Sequence, residues 1–138
     1  RSTDLFPDDL LESRSLDTLQ WISVLRSLNG YQAYRRQVAI RVSRADVLTF
    51  LFHDASFPRS FMHCLDAVDE SVWALDNSGP ATRGIRTFKR KLLKINVGEM
   101  NQASLHEFID ELQIDIGRLH AHLAKTFFPP PLPLNETA

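Results

Sequence analysis

The chain has 138 residues, 43% hydrophobic and 24% charged, which fits one globular domain and is too short for two ordinary ones. Sixteen basic against seventeen acidic residues leave a net charge of −1. That balance argues against a protein built to coat nucleic acid or anionic lipid. The single cysteine, Cys64, cannot form an internal disulfide and fits a reducing, cytoplasmic setting. No apolar run is long enough for a membrane span, and the opening residues do not read as a secretory signal.

Residues 1–14 are acidic and weakly patterned. Helices are predicted at about 15–28 and 30–38. Val38, Ile40 and Val42 alternate with period two, but one short run cannot make a sheet, so it reads as a helix end or loop. Ser43, followed three residues later by Asp46, predicts a capped helix over 44–54. Pro58 reads as the first residue of a helix over 58–76, with Phe61, Leu65, Val68, Val72 and Leu75 as its apolar stripe. Asn77-Ser78-Gly79 reads as a turn, after which Pro80 opens a helix over 80–97.

The last helix, over 104–127, is the most clearly patterned, with Ser104 and Glu107 as its expected cap. Leu105, Phe108, Ile109, Leu112, Ile116, Leu119, Leu123 and Phe127 share one face, while Glu107, Glu111 and Arg118 lie opposite. Residues 129–138, led by Pro129-Pro130-Pro131-Leu132-Pro133, read as an extended polyproline tail. Both ends read as parts of something longer, because the chain starts at Arg1 and closes on this tail. The expected architecture is all-α: a helical domain over 15–128 built as an up-and-down antiparallel bundle of about six helices.

Two stretches carry a family resemblance. Trp21, Leu25, Gly30 and Tyr34 keep a W-x3-L-x4-G-x3-Y spacing. Val47-Leu48-Thr49-Phe50-Leu51-Phe52-His53-Asp54 is then followed by Phe57-Pro58-Arg59-Ser60 and Cys64-Leu65. Together they resemble the alpha-E domain family, bacterial all-helical domains named for a Glu-Arg motif. The resemblance covers about residues 18–77, with weaker agreement to about 127. It implies a helical bundle that works beside, or fused to, atypical ATP-grasp ligases and transglutaminase-like proteins, and so supports the making or modification of small peptides or amides. The family's N-terminal Y-W-x-G-R-x-x-E-R-type motif has no counterpart here, and no glutamate is followed directly by arginine.

Pro58, Arg59 and Ser60 form the first candidate site. A helix start offers free N–H groups, and Arg59 adds a fork suited to carboxylate or phosphate. The plainer reading makes Pro58 a helix start, Phe57 a core residue and Arg59 a partner of Asp54. The second candidate is the helix carrying Arg83, Arg86, Lys89, Arg90, Lys91 and Lys94. Arg83, Arg86, Arg90 and Lys94 form one stripe, and Ile85, Phe88, Leu92 and Ile95 the opposite one. That stripe suits nucleotide phosphates, RNA or an acidic protein surface. Its plainer reading is a solvated face balanced by acids on the first and last helices.

No metal or cofactor is expected. His53, Asp54, His63, Asp66, Asp69 and Glu70 lack the Glu-x-x-His spacing of bundle metal sites, and His120 and His122 point to different faces. Cys64 reads as a small buried apolar residue. Phosphate-loop, nucleophile-elbow and Cys-x-x-Cys signatures are absent. The tail's Pro130-x-x-Pro133 fits a polyproline groove but reads as a linker, and Asn135-Glu136-Thr137 matches a glycosylation acceptor.

The expected function is therefore a non-catalytic partner of an ATP-grasp-type ligase or transglutaminase-like protein. The alternatives are an enzyme half completed by sequence upstream, and an anion or nucleic-acid binder acting through the basic helix.

Overall fold

Apolar residues recurring at three and four along most of this chain can be buried only by packing helix on helix. The computed structural model describes residues 7–76, 78–129 and 131, with side chains described from Leu16 onward. Within them lie α1 (Pro7–Ser27), α2 (Tyr31–Gln37), α3 (Arg44–His53), α4 (Phe61–Trp73), α5 (Gly79–Leu93) and α6 (Gln102–Phe127), with a 3₁₀ turn at Val97–Glu99. No strand occurs among the described residues, and the Val38–Val42 run is the loop between α2 and α3.

Local chemistry explains most helix ends. α1 closes on Asn29 in the left-handed region (φ 54°). Gly30 N–H donates to Leu25 O at 2.7 Å and Asn29 N–H to Arg26 O at 3.0 Å, which satisfies two orphan carbonyls. Ser43 caps α3 as its spacing predicts, its hydroxyl accepting from Asp46 N–H at 3.3 Å. Several boundaries differ from expectation, among them the end of α5, at Leu93 rather than 97, and that of α4, at Trp73 rather than 76. α1 begins at Pro7 rather than near 15. α6 begins at Gln102, because Asn101 accepts from Ser104 N–H at 2.8 Å and so takes the cap expected of Ser104. α4 begins at Phe61, capped by Ser60, so Pro58 lies ahead of the helix.

The helices pack mainly on their chain neighbours, and the side-chain contacts fix their directions. Arg86 pairs with Asp69 and Lys89 with Asp66, so α5 runs antiparallel to α4. Gly84 faces Leu119, whereas Lys91 pairs with Asp115, so α6 runs antiparallel to α5. Three buried clusters follow. The central one gathers Leu48, Met62, Leu65, Phe88, Leu92, Val97 and the first half of α6 through Leu105, Phe108 and Leu112. A second holds Leu25, Tyr34, Val42, Val47, Phe50 and Phe57, and Trp21 packs against both. At the far end Val72, Ala81 and Ile85 are covered by Leu119, Leu123 and Phe127.

Some of the expected stripes are narrower than their periodicity. Leu65 and Val72 are buried as expected of the α4 stripe, joined by Met62, whereas Val68 and Leu75 are exposed. Ile116 is 40% exposed although it shares the face of Leu105 and Leu112. Most of the proline tail, including Asn135-Glu136-Thr137, lies outside the described residues.

Candidate functional site

The corner between α3 and α4 is built from polar side chains whose hydrogen bonds go largely to backbone groups. Asp54, capping α3, accepts at Oδ1 from Ser56 N–H (2.9 Å), Phe57 N–H (3.0 Å) and Ser56 Oγ (2.7 Å). This local ring directs the chain into a turn. Ser60 N–H then donates to Phe57 O at 2.9 Å, so Pro58 occupies the second position of a β-turn, where its fixed φ is an asset.

The buried Ser60 hydroxyl donates to Asp54 O and accepts from His63 N–H at 3.0 Å. Arg59 Nη1 donates to Leu28 O at 3.0 Å. It thus answers a carbonyl at the end of α1 and does not make the expected pair with Asp54. His63 Nδ1 lies 2.7 Å from Ala55 O. Phe57 is buried against Phe50, as its core reading requires. Arg59 and Ser60 are committed to tying the ends of α1, α3 and α4 together.

Cys64 departs from expectation. It is exposed, with Sγ directed at Pro58 O at 3.7 Å. One turn into α4, it lies outside the buried Met62–Leu65 strip. Among the described residues no group of three metal-ligating side chains gathers.

The basic helix α5 is amphipathic as predicted, with Ile85, Phe88 and Leu92 buried. Its charges divide into two sets. Arg86 lies 3.7 Å from Asp69, Lys89 pairs with Asp66 and Asp69, and Lys91 donates to Asp115 on α6 at 2.9 Å. Among the described residues the balancing acids come from α4 and from the last helix, α6. The hydrogen bond from Lys91 to Asp115, then the field of that carboxylate, holds the Lys91 ammonium above the usual lysine range. Arg83, Arg90 and Lys94 are exposed and form no ion pair among the described residues.

Beside these cations runs the α4–α5 seam, which sequence patterning does not reveal. Trp73 is 65% exposed and Leu93 61% exposed, and the Arg86 guanidinium sits 5.5 Å from the centre of the Trp73 ring. A depression of about 330 Å³ is lined by Asp69, Glu70, Trp73 and Arg86. It adjoins one of about 380 Å³ lined by Asp69, Arg86, Lys89, Arg90 and Leu93. By contrast, the void between α5 and α6 measures about 10 Å³, room for one water at most. A sequence signal exists in retrospect: Trp73 follows Val72, and Leu93 follows Leu92, so each sits about 100° off a buried stripe. Among the described residues no hydrogen bond or ion pair joins Arg59 or Ser60 to the basic side chains of α5.

Residues 1–128 match the family model of the Alpha-E domain, described as a predicted alpha-helical domain with a conserved ER motif. No curated protein and no solved structure matches the chain.

Proposed function

The chain belongs to the Alpha-E family, and from that premise we propose that it is a non-catalytic docking domain of an ATP-grasp-type peptide or amide ligase system. The observation that carries this reading is the contrast between its two candidate sites. At the Pro58 corner, the side chains best suited to chemistry are spent on backbone groups. On α5, cations and large apolar side chains stand together at the surface, the composition of a surface that meets another protein. The associates are an ATP-grasp-type ligase or a transglutaminase-like protein of the same bacterial cell. The meeting place is the cytoplasm, whose reducing conditions suit the lone exposed thiol of Cys64.

A second reading is favoured by one observation. The family's Glu-Arg motif is missing from these 138 residues, so the domain is one half of an enzyme if that motif is supplied by sequence upstream. Co-expression with the ligase and transglutaminase-like proteins encoded nearby, followed by size-exclusion chromatography, separates the two. Co-elution with an unmodified ligase rate supports docking. Catalytic turnover that appears only when upstream sequence carrying Glu-Arg is added supports the enzyme half and overturns docking.

A further inference from the structure

The α4–α5 seam has a chemistry of its own. Seven residues separate Arg86, which covers one face of the Trp73 ring, from Leu93, a rise of about 10 Å or two helical turns. Two exposed apolar groups thus bracket a charged strip. Within that strip Asp66 and Asp69 are answered by Lys89 and Arg86, while Arg83, Arg90 and Lys94 retain their charge toward solvent. The surplus is positive on a chain whose total is −1, so it is a local feature and not a reflection of overall composition.

From this arrangement we infer that the seam receives an acidic amphipathic helix of a partner protein, with apolar residues two turns apart seated against Trp73 and Leu93 and carboxylates facing Arg83, Arg90 and Lys94. The inference rests on the docking reading above and supplies its surface and the chemistry of its partner. Helices that lie in such a seam are held by anchors at i and i+7, and their charges set orientation and encounter rate.

A phosphate ligand fits less well. Arg83 to Lys94 spread along about 16 Å of helix instead of converging on one point, and Glu70, which forms no ion pair among the described residues, lines the depression beside Trp73.

The test uses the full chain and a fluorescein-labelled, glutamate-rich helical peptide with leucines at i and i+7, read by anisotropy. Binding is expected for this peptide. It should weaken at least about tenfold when the glutamates become glutamines, and by a similar factor in Trp73→Ala and in Arg90→Glu. Leu93→Ala provides a second anchor variant if Trp73→Ala fails to fold by circular dichroism. Absence of binding, or binding indifferent to both anchor variants, overturns the inference. So does tight binding of ATP or single-stranded RNA that Arg90→Glu abolishes and Trp73→Ala leaves intact, which would assign the cations to phosphate. Self-association of the chain that Trp73→Ala abolishes would place a second copy on the seam and also overturn it. The docking reading is tested separately: if the ligase still co-elutes with Trp73→Ala and Arg90→Glu unchanged, docking stands and the seam is the wrong surface.

Discussion

Gly30 lies so close to Phe57 that a methyl group in its place would sit 2.8 Å from Phe57 Cζ. This contact joins the two stretches that carry the family resemblance, the Trp21–Tyr34 spacing and the Phe57–Ser60 turn. Phe57 stacks on Phe50 at 4.7 Å, and Phe50 meets the edge of Tyr34 at 5.5 Å. Leu25, Tyr34, Val47, Phe50 and Phe57 of the two stretches are therefore neighbours in one core cluster, and their spacing records packing.

Gly30→Ala should accordingly cost about 1–3 kcal/mol, the range for overfilling a packed core. The φ of Gly30 is −102°, so the loss would come from collision with Phe57 and not from backbone strain. Urea denaturation measures it. A loss below about 0.5 kcal/mol, the size of an ordinary surface change, would mean that Phe57 moves aside and that the contact is loose.

Ser60 and Arg59 make a paired prediction at the corner. Ser60→Ala removes the cap of α4 and strands the Asp54 carbonyl, and should cost about 2 kcal/mol. Arg59→Ala removes one hydrogen bond to Leu28 O and should cost about 1 kcal/mol. Neither should alter peptide binding at the seam. An Arg59→Ala protein of unchanged stability that loses ligand affinity would restore the corner as a binding site.

The parts of the fold visible from sequence are those decided locally. The Ser43 cap needs only its neighbour three residues on. The α6 stripe is legible because eight apolar residues repeat on one face. Periodicity marks which face is apolar but not how wide a strip the neighbours cover, which is why Val68, Leu75 and Ile116 were expected inside. The start of α4 is ambiguous in the sequence for a related reason. A proline opens a β-turn as readily as a helix, and the choice lies with Asp54 and Ser60, whose hydrogen bonds close the turn and move the cap three residues on. Asn101 and Ser104 compete for the same cap, and either fits the pattern. The seam was least legible, since Trp73 and Leu93 look like core residues until tertiary packing leaves them outside.

Glycines in and beside the helices should divide by sign. A Cβ on Gly117 would meet nothing within 4 Å, and one on Gly84 would meet Leu119 Cδ1 at an ordinary 3.9 Å. Gly84→Ala and Gly117→Ala should each raise stability by about 0.5–1 kcal/mol, because alanine loses less backbone entropy in a helix. Gly98→Ala should lower it, since its Cβ would lie 3.1 Å from Ala45 O and 3.2 Å from Thr49 Oγ1, where the 3₁₀ turn seats on α3. Thermal melts of the three variants check the signs. A stabilised Gly98→Ala would show that this seat is not tight.

Alkaline stability provides the final prediction, and two groups contribute in the same direction. Burial of the Tyr34 phenol, reinforced by the field of Asp46 and opposed by a backbone hydrogen bond from Ser43, raises its pKa above 10.0. The hydrogen bond to Asp115 likewise raises Lys91 above 10.5. Each folded group holds its proton more tightly than the unfolded chain does. Their contributions are therefore complete below the unfolded values and are lost as pH climbs through the folded ones. Stability should be flat in these groups from neutral pH to about 10 and fall steeply beyond. Tyr34→Phe tests the buried contributor. It removes the bond from the Tyr34 hydroxyl to Arg41 O at 3.1 Å, so it should be less stable than wild type by about 1 kcal/mol at neutral pH. Because phenylalanine does not titrate, its curve should fall less beyond pH 10, and the two should converge. Parallel curves through the alkaline limb would show that Tyr34 ionises as freely in the folded protein as in the unfolded chain, and that its burial imposes no cost on the phenolate.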